Sequence, residues 1–413
     1  MSKLLVRPLV NSGISTVIIV DALDECKDKD SVSVILSVLD QFVSQIPKVK
    51  FFLTSRPEPW ILQGFSLPLL ASASNTFDLH KVESSQVSND IRILFRTRLE
   101  LAGRRCGLDN WPSEEQLNLL CNRAAGLFVY AMATIRFIEH RNNNPSKRLD
   151  RLLQSQENSK IEGMTQFEAN KTLDSLYLTI LHEAFSDDDP EDDPKVRSIL
   201  GAVILAANPL SPSTIATLLN LDIQDVLPPL SSAGSLLLLH DDNSQPIRPF
   251  HKSFRDFIVD PDRCTNLRFR VNPPDHHTEL LIGCLHLLKQ KLERNMCELP
   301  DGVINSEVED LKGGTGQYID QALEYACRSW HKHLVETTPA RKPDTVTSAV
   351  RKFLEEKFLF WLEVLSVLGA AREAVDALEA AARWLDVCQI PPFTCPKNLL
   401  GLDLDITGQE PCR

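Results

Sequence analysis

The hydrophobic and polar positions change rhythm along this chain. Thr16–Val20 (TVIIV) is an unbroken apolar, β-branched run that ends in acids, and Val49–Leu53 (VKFFL) is a second run of the same kind. Continuous runs of this length predict strands buried on both faces. Between them, residues 32, 35, 36, 39, 42, 43 and 46 are apolar, which is the spacing of one helical face. Strand, helix and strand with short links predict a right-handed βαβ unit in a parallel sheet. Functional groups of such sheets gather at the carboxyl ends of the strands, where Asp21 and the stretch from Thr54 to Arg56 fall.

Helical spacing takes over downstream. Residues 116–138 are strongly periodic and broken once, at Gly126, and residues 142–146 predict a polar loop. Residues 172–185 predict one amphipathic helix, and the acidic run from Asp187 to Pro194 predicts a solvated connection. Short helices are predicted over 213–219 and 225–232, followed by strands over 235–240 and 247–250 around a polar turn. Helix, helix, hairpin is the order of a winged helix. The expected organisation is half of an α/β domain over 1–84, a helical domain over 85–165, a winged helix over 166–270, a helical arm over 271–390 and an irregular tail over 391–413. The expected fold class is α/β, a partial parallel sheet, followed by mostly α regions in a multi-domain chain.

Composition narrows the functional classes. The 413 residues leave room for several domains and large cores. Lys and Arg number 44 against 56 Asp and Glu, a net charge of −12. That balance argues against a duplex nucleic-acid binder and against a polybasic membrane adsorber. No apolar run reaches the ~18 residues of a membrane span, and the longest, Ile199 to Ala207, suits a buried helix. The first ten residues, interrupted by Arg7 and Pro8, do not predict a signal peptide. The ten cysteines form no CxxC pair, which predicts reduced thiols and a cytoplasmic protein. Two sets, His277/Cys284/His286 and Cys327/His331/His333, lack structural-zinc spacing. Trp330, Trp361 and Trp384 lie on helical apolar faces and predict core packing. Ser253 lies two residues from His251, a spacing that does not by itself bring the side chains together.

Two local patterns carry chemistry. In Val17-Ile-Ile-Val-Asp21-Ala-Leu-Asp24-Glu25-Cys26, a buried strand delivers one carboxylate at its end and two more a turn later. In P-loop NTPases an Asp so placed holds magnesium, and a following acid orients the attacking water. The plain alternative is a solvated acidic loop. In Phe51-Phe-Leu-Thr54-Ser-Arg56-Pro57, an Arg at the next strand end has a planar fork suited to phosphate oxygens. Its plain alternative is a surface Arg.

Together these motifs resemble the Walker B and sensor-1 motifs of NACHT-type, nephrocystin-like STAND NTPases, nearest to the fungal branch in which the NACHT domain often precedes WD repeats. Further segments are similar to that family in the same order: Ala124-Ala-Gly126-Leu-Phe128-Val-Tyr130, Leu173-Asp-Ser-Leu-Tyr177, Phe250-His251-Lys-Ser253-Phe254-Arg-Asp256-Phe257 and the helical stretch 353–365. The resemblance implies a nucleotide held between an α/β domain and a winged helix, with ADP for the off state and ATP for an open, self-associating state. It implies Asp21 as the magnesium ligand, Asp24 and Glu25 as water-positioning catalytic groups, Arg56 on the γ-phosphate and His251 on the ADP phosphates. Magnesium with ATP/ADP or GTP is implied for the full-length family. Implied partners are other copies of the module and proteins bound through flanking domains such as WD repeats.

Three departures qualify this. No Gly-Lys dipeptide occurs, so the GxxxxGK[ST] phosphate loop is absent. In the family it precedes the Asp21 strand, so the chain is expected to be N-terminally truncated and to hold no cofactor as written. Phe128 stands where relatives carry a proline. The Gly313-Gly-Thr-Gly316 cluster predicts a helix–helix loop, and the tail carries no recognisable WD repeat. The rival reading is a non-enzymatic interaction scaffold that has lost its phosphate loop. Phosphoryl transfer depends on donors cradling the phosphates. The chain as written is therefore expected to show no useful ATP turnover beside its Asp21→Ala variant in a phosphate-release assay. Turnover that disappears in Asp21→Ala would overturn that expectation.

Overall fold

A computed structural model of the chain describes residue 8 and residues 15–26, 29–140, 144–154, 166–185, 193–300, 315–338 and 343–387. It divides into two compact units, 1–83 and 84–413. Among the described residues no helix is long and apolar enough to cross a membrane.

In the first unit, β1 (Thr16–Val20) pairs in parallel with β2 (Val49–Leu53), in a register running from Thr16↔Val49 to Val20↔Leu53. The crossover helix α1 (Lys29–Phe42) closes in a short 3-10 turn, Val43–Gln45. Helices α2 (Pro59–Phe65) and α3 (Pro68–Ala73) follow, each opened by a proline whose missing N–H needs no partner there. Helix α1 packs on both of them. Leu23, Val32, Leu36, Ile61 and Leu70 make the core, with Val20 and Leu53 against it. Ile46 and Val49 form a smaller cluster beneath Ile18 and Phe51. The parallel pairing agrees with the pattern, but burial on both faces does not. Val17, Ile19 and Phe52 are 62%, 69% and 61% exposed. Side chains alternate across a strand, and the described helices of this unit cover only the face that carries Ile18, Val20, Phe51 and Leu53.

The second unit begins with α4 (Ser84–Arg105), α5 (Glu114–Ala124), α6 (Phe128–Glu139) and α7 (Pro145–Gln154). A full capping box opens α5: Ser113 accepts the Gln116 N–H, and the Gln116 side chain accepts the Ser113 N–H. The helix stops at Ala125 and Gly126, with φ of 45° and 79°, the break expected at that glycine. The predicted polar loop 142–146 is helical at its end, because α7 starts at Pro145, and Asn144 Oδ1 accepts the Ser146 N–H at 3.0 Å. Residues 141–143, 187–192, Gly313, Gly314 and the tail from 388 lie outside the described residues.

Next come α8 (Gln166–Ala184), α9 (Asp193–Leu205), α10 (Pro212–Leu219) and α11 (Ile223–Ser232). A short antiparallel pair follows, β3 (Leu237–Leu238) with β4 (Arg248–Pro249), and Ile247 bridges to Leu210. The strands are shorter than the sequence predicts. Helix α12 (Lys252–Val259) leads to α13 (Pro273–Lys291), α14 (Gln321–Glu336), α15 (Pro343–Val367) and α16 (Glu373–Val387).

One continuous core runs through this unit from Ile91 to Trp384. Trp330 meets Phe353 and Trp361 edge-on, at 5.3 and 5.8 Å between ring centres, and Trp361 Nε1 donates to the Cys327 carbonyl at 2.9 Å. Arg136 on α6 donates to the carbonyls of Gly234, Ser235 and Leu237 at 3.0, 2.8 and 2.6 Å, and its guanidinium lies 5.5 Å from the Phe250 ring centre. One side chain thus satisfies three carbonyls at the turn into β3. A buried polar chain joins the segment just after α9 to α13 and α14. The Ala207 N–H donates to Tyr325 Oη at 3.0 Å, Tyr325 Oη meets His333 Nε2 at 2.7 Å, and His333 Nδ1 meets His277 Nδ1 at 2.8 Å. The two histidines come from different candidate metal sets and meet each other instead. Among the described residues no group of three or more His, Cys, Asp or Glu is arranged to hold a metal.

His331 is 8% exposed, and its buried Nδ1 has no hydrogen-bond partner among the described residues. Burial, helped by Lys332, pushes its pKa down to about 4 against the pull of Glu373 and Asp376. The unfolded chain binds the proton near pH 6.5 and the folded chain only near 4. Stability is therefore whole above pH 6.5 and is lost as pH falls toward 4. Thermal denaturation followed by circular dichroism should show the melting temperature dropping across that window, with a shallower drop in His331→Leu.

Candidate functional site

The carboxyl ends of β1 and β2 are tied together by one side chain. The Thr54 N–H donates to the Val20 carbonyl, and the Leu23 N–H donates to the Thr54 carbonyl, each at 3.0 Å. Thr54 Oγ1 accepts the Ala22 N–H at 2.8 Å and donates to Asp21 Oδ1. Ala22 is left-handed, with φ of 53°, so the chain turns sharply after Asp21 into the short 3-10 turn Leu23–Glu25. Leu23 drops into the core, which leaves the acids around it at the strand ends.

Asp24 reaches back across the strands. Its Oδ1 accepts the Arg56 N–H at 3.0 Å, and its Oδ2 lies 3.5 Å from Arg56 Nε. The Asp24 carboxylate is 6% exposed and the Arg56 side chain 53%. Asp21, Asp24 and Arg56 therefore stand at the same end of adjacent parallel strands. Asp21 and Glu25 are exposed, and Asp24 is held by Arg56. Arg56 keeps about half of its side chain in solvent while its backbone N–H is held by Asp24.

His251 lies in the second unit, as the N-cap of α12. It is extended, with φ −152° and ψ 146°, so its ring folds over the first turn. Its Nδ1 accepts the Ser253 N–H at 3.1 Å and lies 2.7 Å from Ser253 Oγ. The sequence spacing alone gave no ground for this contact; the extended-to-helical step at the cap creates it. Ser253 Oγ is also 2.7 Å from Tyr177 Oη on α8. Tyr177 is fully buried, 5.4 Å between ring centres from both Phe254 and Phe257. Burial, above all, pushes its pKa up to about 12. One turn before it on α8, Asp174 takes a two-pronged bond from Arg263, Nε at 3.0 Å and the terminal nitrogen at 2.6 Å. Thr54, Ser253 and Tyr177 are the participants that sequence reasoning missed. The threonine was legible only as a strand-end polar residue, and the serine and tyrosine only as parts of longer segments.

A separate cleft of about 990 Å³ in the second unit is lined by Arg197, Arg270, His276 and His286 together with Asp275 and Glu279. Glu279 lies 3.2 Å from His276 and Arg197 donates to the Leu267 carbonyl at 2.8 Å, and the lining singles out no ligand.

Thr54→Val keeps the shape of the side chain but removes both of its hydroxyl bonds. It is expected to destabilise the first unit by about 1–2 kcal/mol, with Thr54→Ser close to wild type. Faster hydrogen exchange of the β1 and β2 amides checks this, and unchanged exchange in the valine variant would contradict it.

Two comparisons with known proteins follow from this geometry. The family model described as Nephrocystin 3, N-terminal, matches residues 1–56, the span that carries both strand ends. The chain is also 22% identical over 390 residues to the vegetative incompatibility protein HET-E-1 of Podospora anserina, a match that covers 88% of this chain. The chain spans 26% of that curated relative's length. Both matches agree with the resemblance to nephrocystin-like, NACHT-type fungal proteins that the motif order carries.

Proposed function

We propose that this chain is the controlling core of a nucleotide-switched signalling protein of the NACHT type. The observation that carries the reading is the interlock of Asp21, Thr54, Asp24 and Arg56 at one end of two parallel strands. In this reading residues 1–84 are half of a nucleotide-binding α/β domain, 85–165 a helical domain, 166–270 a winged helix, 271–390 a helical arm and 391–413 a tail. The helices α10 and α11, the β3–β4 pair and the Leu210–Ile247 bridge support the winged helix.

The donor set suits magnesium, which takes one or two carboxylates and keeps several waters. Asp21 would hold the ion, oriented by the Thr54 hydroxyl. A bound magnesium supplies neutralisation of phosphate charge. Asp24 fixes the loop that carries Arg56, Arg56 offers its fork to a γ-phosphate, and Asp24 with the exposed Glu25 orders the attacking water. His251 donates to the diphosphate of the ADP state. ADP favours the off state and ATP an assembled state, GTP being the alternative nucleotide. The switch works only if the two states bind the nucleotides differently. Other copies of the module are the first partners, and proteins reached through flanking segments, WD repeats among them, are the next. The proposed setting is the cytoplasm.

The second reading, a scaffold without nucleotide chemistry, is favoured by one observation, the absence of any Gly-Lys dipeptide. Sedimentation of the protein joined to an upstream GxxxxGK[ST] loop separates the two. It should run as a small species with ADP and as a larger assembly with a non-hydrolysable ATP analogue. Sedimentation indifferent to nucleotide would leave the scaffold.

A further inference from the structure

We infer that Tyr177 and Ser253 are positioning residues that hold His251 as the Nε2–H tautomer, so that the nitrogen facing a phosphate oxygen is a standing donor. The inference rests on the proposed diphosphate role of His251 and deepens it. Its geometric basis is independent of any nucleotide.

The Ser253 backbone N–H can only donate, and it points at His251 Nδ1 at 3.1 Å. A proton on Nδ1 would meet that hydrogen head-on, so Nδ1 offers its lone pair for as long as the exposed ring stays in the cap, and the side-chain hydroxyls are what keep it there. A neutral imidazole with an acceptor at Nδ1 carries its proton at Nε2. The Ser253 hydroxyl, 2.7 Å from the same nitrogen, can then donate to it as well. That uses the only hydrogen of the serine hydroxyl, so the hydrogen in the 2.7 Å contact between Ser253 Oγ and Tyr177 Oη comes from the tyrosine. The direction of the chain is thus set: Tyr177 O–H to Ser253 Oγ, and Ser253 O–H to His251 Nδ1.

The far end of this chain is anchored. Tyr177 is fully buried between Phe254 and Phe257, and burial keeps its hydroxyl protonated across the physiological range. The Asp174–Arg263 pair, one turn earlier on α8, fastens that helix to the segment after α12. The ring of His251 is exposed, yet its orientation is set from the interior. An exposed histidine without such a relay would share its proton between both nitrogens and rotate about its side-chain bonds. Here the rotation and the tautomer are chosen before any ligand arrives, which lowers the ordering cost of binding an anionic phosphate oxygen.

The test is a long-range proton–nitrogen correlation spectrum of the whole chain with nitrogen-15 histidine, the His251 signals assigned by their loss in His251→Gln. Wild type should show a protonated Nε2 and an unprotonated, hydrogen-bonded Nδ1. Tyr177→Phe keeps the ring packing, and its other histidine signals should stay in place while the His251 pattern moves toward a tautomer average. Ser253→Ala should move it further, and Ser253→Thr, which keeps a hydroxyl, should restore it. A wild-type spectrum with Nδ1 protonated or averaged would overturn the inference. So would an unchanged His251 pattern in both Tyr177→Phe and Ser253→Ala. No nucleotide is present in this experiment. A held tautomer combined with ADP affinity that is indifferent to His251→Ala, measured on the protein carrying an upstream GxxxxGK[ST] loop, would remove the diphosphate role and leave the positioning pair standing.

Discussion

The parallel pairing of β1 with β2 is the constraint from which the candidate site of the first unit follows. Because the strands run the same way and Val20 lies opposite Leu53, the residues that follow each strand emerge side by side. Thr54 then finishes the ladder with backbone bonds and uses its hydroxyl to serve both the Ala22 N–H and the Asp21 carboxylate. That contact sets the left-handed turn at Ala22, and the turn sends Leu23 inward and brings Asp24 over the Arg56 N–H. An antiparallel pairing would put Asp21 and Arg56 at opposite ends of the ladder and dissolve the arrangement.

The second unit solves a different problem, that of holding an exposed histidine still. A helix N-terminus leaves N–H groups without helical partners, and His251 meets one of them with its own ring. The cap costs the ring its freedom and gives it a defined tautomer. Around it, Arg136 fastens α6 to the turn into β3, and Arg263 fastens α8 to the chain after α12. Both use the guanidinium fork, which meets several oxygens without losing much freedom per bond. The Asp24–Arg56 pair uses the same chemistry in the first unit, where the exposed half of the fork remains available to a ligand.

Period and run length made the βαβ order legible, because helical spacing and β-branched runs are local properties. Local cues also marked the α5–α6 break at Gly126 and the short helix expected over 213–219, which opens at Pro212. The exposed face of Val17, Ile19 and Phe52 was not legible, since burial depends on what lies over a strand and not on its own residues. The His251–Ser253 contact was missed because two residues of helix separate side chains, whereas one extended residue before a helix brings them together. Tyr177 lies 76 positions from Ser253, and His277 lies 56 from His333, so tertiary packing alone unites each pair. Motif order carried the family resemblance further than any of these elements, because order survives where single contacts do not show.

The account joins two kinds of group, a strand-end carboxylate and a capped histidine, to one class of ligand. Equilibrium binding of ADP, with and without magnesium, to the protein carrying an upstream GxxxxGK[ST] loop and to its Asp21→Asn and His251→Ala variants tests that joining most directly. A hydrogen bond to a charged group contributes about 1.5–3 kcal/mol, so each loss should weaken binding by about tenfold or more. The account predicts that Asp21→Asn abolishes the magnesium dependence and that His251→Ala lowers ADP affinity with magnesium dependence retained. ADP affinity and magnesium dependence unchanged in both variants would contradict it.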